Sequence, residues 1–366
     1  MIGFSYVSYA QEVIFAPGAL ARLREAMERF GWGRLMLCTS RSMQAGGWAK
    51  KIESNPGEKL IAIFDRVQPH VQDVQVQEAL ALAKETNAEA VIGLGGGSPI
   101  GMAKAIGFQV QLPIIAIPTT YAGSEMTAVY GITHTDENPP RKVTVNDPKI
   151  APGLVIYDPE LTLDLPPELT ASTGINALAH CIEALYSKTR NPLSTAAAIA
   201  GVRHIHNALF HCFQDGRNVE ARTEMLLGSH FAGFSLASVS MGLHHGLCHV
   251  LGGSANVPHG IANAIILPHA IRFNADATAT QLIPAAEAMR ISSNGTSPKG
   301  VIEAMAQRVF EFIGRMDLPQ RLRDTGVAES DLPRLAEIAF ANRTVQNNPK
   351  PITNIEQLER LLQDAW

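Results

Sequence analysis

Four of the chain's twelve histidines, His244, His245, His249 and His259, fall between Met241 and Gly260 in an otherwise apolar run. Imidazole changes protonation near neutral pH and offers a lone pair to metals, so histidines concentrated in this way build a metal site or handle protons and anions. A set of hydrogen-bonded structural histidines is the alternative. His245 and His249 are four residues apart, as are Asn176 and His180 within Ser172-Thr-Gly-Ile-Asn-Ala-Leu-Ala-His-Cys-Ile-Glu-Ala-Leu-Tyr186. At helical spacing each pair shares one face, and two helices facing one another bring the four groups to one place. His204, His206, His211 and His230 belong to no such motif and are read as surface or satisfied core residues.

A second set lies upstream. Ala90-Val-Ile-Gly-Leu-Gly-Gly-Gly-Ser-Pro-Ile-Gly-Met-Ala-Lys104 reads as a strand entering a helix through Gly95, Gly96 and Gly97, with Ser98 as N-cap and Pro99 as first helical residue. Free N–H groups and missing side chains there let a pyrophosphate approach the backbone closely, although the spacing fits neither common nucleotide-loop pattern. A tight strand-to-helix turn is the alternative. Ile117-Pro-Thr-Thr-Tyr-Ala-Gly-Ser-Glu125 follows the next strand and adds Thr119, Thr120, Tyr121 and Ser124 on the same sheet edge.

The elements that must position these groups follow from the hydrophobic pattern. Arg34–Cys38, Leu60–Phe64, Ala90–Leu94 and Ile114–Ile117 are short apolar runs, alternating with helix-length stretches such as Val71–Thr86. This alternation predicts a mostly parallel sheet. The proline-rich passage Asp158–Pro166 should link two domains, and beyond Leu169 the chain reads as helical throughout. The expected architecture is an α/β N-terminal domain over 1–160 and an all-α C-terminal domain over 161–366.

With 366 residues, 46% of them apolar, the chain can bury a large core. A net charge of −4 and the lack of a Lys/Arg block argue against nucleic-acid or membrane-surface partners. No apolar run reaches the roughly eighteen residues of a membrane span, and the Met-Ile-Gly-Phe-Ser-Tyr start lacks the features of a secretion signal. A cytoplasmic address is expected, with Cys38, Cys181, Cys212 and Cys248 as reduced thiols.

The chain resembles the iron-containing alcohol dehydrogenase family. The resemblance rests on the Gly-Gly-Gly-Ser-Pro loop with Ala103-Lys104, Pro118-Thr-Thr, Asp158-Pro-Glu-Leu-Thr, Thr173–Ala184, His245-Gly-Leu-Cys-His249, and Pro258-His-Gly-Ile-Ala-Asn-Ala-Ile-Ile-Leu-Pro-His, in register over about residues 10 to 275. It implies a dinucleotide-binding N-terminal domain, a helical C-terminal domain, an architecture shared with dehydroquinate synthase, and an active site in the cleft between the domains. In metal-dependent members the positions matching Asn176, His180, His245 and His259 hold one Asp and three His as ligands. Asn176 removes a full negative charge from that set, which weakens binding of a divalent cation.

Gly101, where most alcohol dehydrogenases of the family carry Asp, and the Tyr121-Ala-Gly-Ser-Glu continuation are further departures. They resemble the maleylacetate reductase branch, which implies reduction of the carbon–carbon double bond of maleylacetate to 3-oxoadipate in aromatic-ring catabolism. No metal is expected on this reading. A metal-dependent (Fe or Zn) alcohol dehydrogenase is the alternative. Ser40 stands where NAD-selective relatives carry an Asp that binds ribose hydroxyls, so with Arg41 nearby both NADH and NADPH are expected as cofactors. The expected substrate is a small dicarboxylate. His180, His245 and His259 would bind its carboxylate and ketone oxygen, His249 or His244 would deliver a proton, and Asn176 would orient substrate or an imidazole. The resemblance also suggests a homodimer.

Overall fold

A computed structural model describes residues 3–54, 59–69, 71–134 and 141–366. Met1 and Ile2, which open the stretch read for a secretion signal, lie outside the described residues. The chain divides into two compact units, one of residues 8–165 and 217–226, the other of residues 166–216 and 227–366 together with the N-terminal stretch to Val7.

The first unit contains strands β1 Glu12–Phe15, β2 Leu35–Cys38, β3 Leu60–Phe64, β4 Ala90–Gly95, β5 Ile114–Pro118, β6 Val129–His134, β7 Arg141–Asn146 and β8 Leu154–Tyr157. Six of them form one sheet in the order β1-β8-β5-β4-β2-β3, and every pairing in it is parallel. β6 and β7 form a separate antiparallel ribbon. The helices here are α1 Leu23–Phe30, α2 Arg41–Ala45, α3 Trp48–Ser54, α4 Asp73–Glu85 and α5 Gly97–Val110.

Both faces of the sheet are covered, and the strands show why. Leu35 and Leu37 of β2 enter one apolar cluster with Ile92, Leu94, Ile115 and Ile117, while Met36 and Cys38 enter the other with Val91, Ala103 and Ile106. Successive side chains of a strand point to opposite faces, so a continuous apolar run stays put only when both faces are buried. β2 to β5 are the strands expected from sequence. β1, β8 and the ribbon are additional. Glu12-Val-Ile-Phe15 opens on a charged residue and is too short to announce a strand by itself, and β1 is fixed by pairing Glu12 to Phe15 with Leu154 to Tyr157. Asp158 completes this corner by accepting the N–H groups of Gly18 and Leu20, each at 3.0 Å, and that of Glu160 at 3.1 Å.

The second unit is helical, as expected. Its helices are α6 Pro167–Tyr186, α7 Pro192–Gln214, α8 Val219–Ser238, α9 Leu243–Ala255, α10 His259–Ala288, α11 Pro298–Gly314, α12 Leu332–Ala341, α13 Arg343–Gln346 and α14 Glu356–Ala365, with the first turns of α8 grouped with the sheet. α6 packs on α7 and α10 and is buried on all sides over its last turns. Close α6–α7 packing needs small residues: a Cβ on Gly174 would fall 2.3 Å from Leu209 Cδ1, and one on Gly201 2.5 Å from Cys181 Sγ. No single helix among the described residues is long and apolar enough to cross a membrane.

Candidate active site

The glycine turn sits at the end of β4. Gly95 has φ 137°, a conformation that side-chain-bearing residues rarely adopt, and a Cβ there would lie 2.8 Å from Pro99 Cγ. α5 begins at Gly97 with Gly96 as N-cap, which corrects the expectation that Ser98 caps the helix and Pro99 opens it. The Gly96 carbonyl already accepts the Ile100 N–H, and Pro99, lacking an N–H, falls in the first turn, where no intrahelical acceptor exists. The N–H groups of Gly97 and Ser98 likewise have no carbonyl to meet within the helix, and a Cβ on Gly97 would find open space. Such a turn suits a phosphate or pyrophosphate.

Neighbouring strand ends bring the other expected residues to this edge. Thr119 N–H donates to the Gly95 carbonyl at 3.1 Å, and Thr120 lies 3.2 Å from where a Gly96 Cβ would sit. Ser40 precedes α2 at the end of β2, its Oγ 2.8 Å from Ser42 Oγ, and Arg41 beside it is exposed. Thr39 Oγ1 donates to the Leu94 carbonyl at 3.0 Å and locks β2 to β4 there. Two residues sit differently. Tyr121 is fully buried, its hydroxyl accepting from Arg222 Nη1 at 2.9 Å. Ser124 opens a short 3-10 turn, and its carbonyl accepts from Lys104 Nζ at 2.5 Å.

The histidines gather within the helical unit, from three helices rather than two. His180 of α6 stacks on His245 of α9 with ring centroids 4.7 Å apart. His259, the first residue of α10, lies 6.4 Å from His245 and stacks on His249 at 5.8 Å. Asn176, His180, His244 and His245 are buried, whereas His249 and His259 are exposed. The cluster therefore grades from a dry interior to a solvent-facing edge. His204, His206 and His230 pack on phenylalanines elsewhere.

Glu183, unassigned in the sequence reading, organises the interior. From α6 it reaches the start of α9, where Oε1 accepts the His244 N–H at 3.0 Å and Oε2 accepts the His245 N–H at 3.3 Å. It thereby caps α9, whose own N-cap, Gly242, has no side chain to offer. Glu183 Oε2 also lies 2.5 Å from His245 Nδ1. Burial pushes the Glu183 pKa up, while His244 and the backbone N–H groups of His245, Gly242 and His244 oppose this and favour the carboxylate.

The hydrogen bonds assign the tautomers. His244 Nε2 is 3.2 Å from the Asn263 carbonyl, which can only accept, so Nε2 carries the proton and Nδ1 a lone pair. His245 Nδ1, 3.2 Å from that lone pair and closer still to the carboxylate, must be the N–H donor. His245 Nε2 is left as an electron-pair donor. Burial first, then the neighbouring imidazoles, holds His180 and His245 well below the ordinary histidine pKa. Both rings are neutral in the free chain. His245 Nε2, His180 Nδ1 and Asn176 Oδ1 are buried atoms with no hydrogen-bond partner. His245 Nε2 and Asn176 Oδ1 are acceptors, and leaving them unsatisfied in an apolar interior is costly unless something binds them.

Comparison with known proteins decides the family. Residues 10–159 match the description "Iron-containing alcohol dehydrogenase", and residues 170–366 match "Fe-containing alcohol dehydrogenase family, C-terminal". The chain belongs to the iron-containing alcohol dehydrogenase family. It is 35% identical to the maleylacetate reductase of Pseudomonas knackmussii over 97% of this chain and 95% of that protein. It is also 35% identical to that of Burkholderia cepacia, over 100% of this chain and 98% of that one. The crystal structure of maleylacetate reductase from Agrobacterium tumefaciens superposes with a TM-score of 0.90 at 34% identity, covering 100% of this chain and 99% of that one. The chain is therefore an oxidoreductase with this family's architecture.

Membership corrects the expectation that no metal is involved, because the family is iron-containing and the chain keeps the means to bind an ion. His245 Nε2 and Asn176 Oδ1 are acceptors without partners, and Glu183, whose ligand-capable atom lies within 4.8 Å of those of His244 and His245, is engaged in orienting His245. The sequence reading weighed the missing acid at Asn176 and overlooked Glu183, although it is the sole acid among the last turns of α6, three residues beyond His180. Asn176 brings no charge, whereas the Glu183 carboxylate bonded to His245 would make that imidazole a stronger ligand for an ion.

Proposed function

We propose that this chain reduces the carbon–carbon double bond of maleylacetate to give 3-oxoadipate with NADH or NADPH, serving aromatic-ring catabolism. The observation that carries the reading is full-length similarity to maleylacetate reductases. The Gly95–Ser98 turn and the α5 N-terminus receive the cofactor's pyrophosphate, and the bound nicotinamide supplies hydride. Ser40 in place of an acid, with Arg41 beside it, leaves room for a 2′-phosphate.

His180, His245 through Nε2, Asn176 through Oδ1, and His259 would hold the family's metal. Such an ion, when bound, polarises a ketone oxygen. The exposed His249 recognises carboxylate and exchanges protons with water. As hydride adds to the alkene carbon β to the ketone, negative charge moves onto the ketone oxygen. His249 then supplies the proton for the adjacent carbon. His244 acts through His245 as a positioning residue. We further propose a homodimer and a cytoplasmic location, the latter supported by four buried free thiols.

A specific observation favours a second reading, metal-dependent alcohol oxidation: the unpartnered buried acceptors would suit a divalent ion, whose chemistry when bound would be to acidify an alcohol. The test is to follow loss of NADH with maleylacetate, against a simple alcohol plus NAD as control. Turnover of the first confirms the proposal; turnover of the alcohol alone overturns it.

A further inference from the structure

Lys104 lies on α5, two turns beyond the glycine turn, and its side chain is fully buried. Its Nζ donates to the carbonyls of Ser124 at 2.5 Å, Thr127 at 2.7 Å and Val129 at 3.0 Å, and lies 3.1 Å from Thr127 Oγ1. An ammonium has three protons and no acceptor, so three carbonyls converging on it satisfy it completely. A buried charge is a poor way to stabilise a core compared with an apolar side chain of similar volume, so its presence calls for another role. The counter-charge is Glu125, also buried, whose Oε1 accepts the Tyr157 hydroxyl at 2.7 Å and whose carbonyl accepts Gln11 Nε2 at 3.0 Å.

The segment gripped in this way starts from Gly123 at φ 77°, passes through the Ser124–Met126 turn and enters β6. It directly continues Thr119 and Thr120, which touch Gly95 and Gly96. One end of the stretch is therefore held by the glycine turn and the other by Lys104, and both holds originate in β4 and α5.

We infer that Lys104 is a positioning residue that fixes the Thr119–Val129 stretch against α5 and thereby sets affinity for the reduced dinucleotide. It does so without touching cofactor or substrate. The inference rests on the dinucleotide reading of the glycine turn. A methionine at this position keeps the length of the side chain and abandons all three carbonyls, whereas arginine keeps the charge and donors.

The test compares wild type, Lys104→Met, Lys104→Arg and Thr127→Val by NADH dissociation constant, steady-state kinetics and amide hydrogen exchange. Lys104→Met should weaken NADH at least tenfold while kcat at saturating NADH stays within threefold, and amides of 119–129 should exchange faster. Lys104→Arg should recover most of the affinity. Thr127→Val, which removes one hydroxyl and keeps the carbonyls, should weaken NADH about two- to threefold and carries the test should Lys104→Met fail to fold. A folded Lys104→Met with wild-type NADH affinity and unchanged exchange overturns the inference, as does wild-type affinity in Thr127→Val with Lys104→Met unfolded. Wild type that binds no NADH overturns the dinucleotide reading and the affinity effect with it, and exchange over 119–129 then decides separately whether Lys104 orders the stretch.

Discussion

Glu183 Oε2 stands 2.5 Å from His245 Nδ1, and the same carboxylate caps the helix on which His245 rides. One side chain thus sets both the position of α9 and the tautomer of its key imidazole. With Nδ1 as donor, Nε2 can only offer a lone pair, so His245 is built to bind an electrophile, not to donate to a ketone.

Replacing Glu183 by Gln keeps the shape but turns one acceptor into a donor facing N–H groups. We expect kcat/KM to fall by about 10- to 100-fold, as when a ligand's carboxylate partner is lost. Stability should drop by about 1–3 kcal/mol from unsatisfied buried groups. Steady-state kinetics with a urea unfolding curve checks both, and wild-type values in each would remove Glu183 from the site.

Asn176 Oδ1 is buried without a partner on the same helix as His180. Asn176→Asp restores a negative charge and should raise retention of Zn(II) or Fe(II) by at least about tenfold, since carboxylate outcompetes amide for such ions. Metal analysis after dialysis against a weak chelator reads this directly; equal metal content in the two proteins counts against Asn176 as a ligand.

Gly95→Ala places a Cβ 2.8 Å from Pro99 Cγ at a φ of 137°. The strained backbone costs about 1–3 kcal/mol. Because the strain sits at the α5 N-terminus, KM for NADH should rise more than that for maleylacetate. A rise confined to maleylacetate would show that this turn does not serve the dinucleotide.

His269 on α10 is lowered from 6.5 to about 4 by burial and then by Arg272, with Asp364 opposing and Arg321 adding. Between these values the unfolded imidazole binds a proton that the folded one refuses, so stability is lost as pH falls from 6.5 towards 4. The full shift corresponds to about 3 kcal/mol. His269→Gln should flatten that part of the acid limb in denaturant midpoints measured across this range; identical slopes would exclude His269 as its source.

Much was legible in the sequence because it is carried by local pattern. Continuous apolar runs between helix-length stretches specify β2 to β5 and a sheet buried on both faces. The glycine triplet marks the turn, and four-residue spacing places Asn176 with His180, and His245 with His249, on shared helical faces. Short β1 was not legible, since Glu12-Val-Ile-Phe15 has no pattern apart from its partner, whereas β8, Leu154-Val-Ile-Tyr157, is an apolar run like that of β5 and was passed over.

Only tertiary structure decided which polar groups meet. Glu183 is 61 and 62 residues from the backbone groups it accepts, and Lys104 is 20 to 25 from its carbonyls. Local spacing constrains which face a residue occupies but says nothing about what another helix or strand brings to that face. Buried hydrogen bonds of long sequence separation are therefore invisible until the chain is folded. Here they assign the His245 tautomer, cap α9 and set a carboxylate against its imidazole.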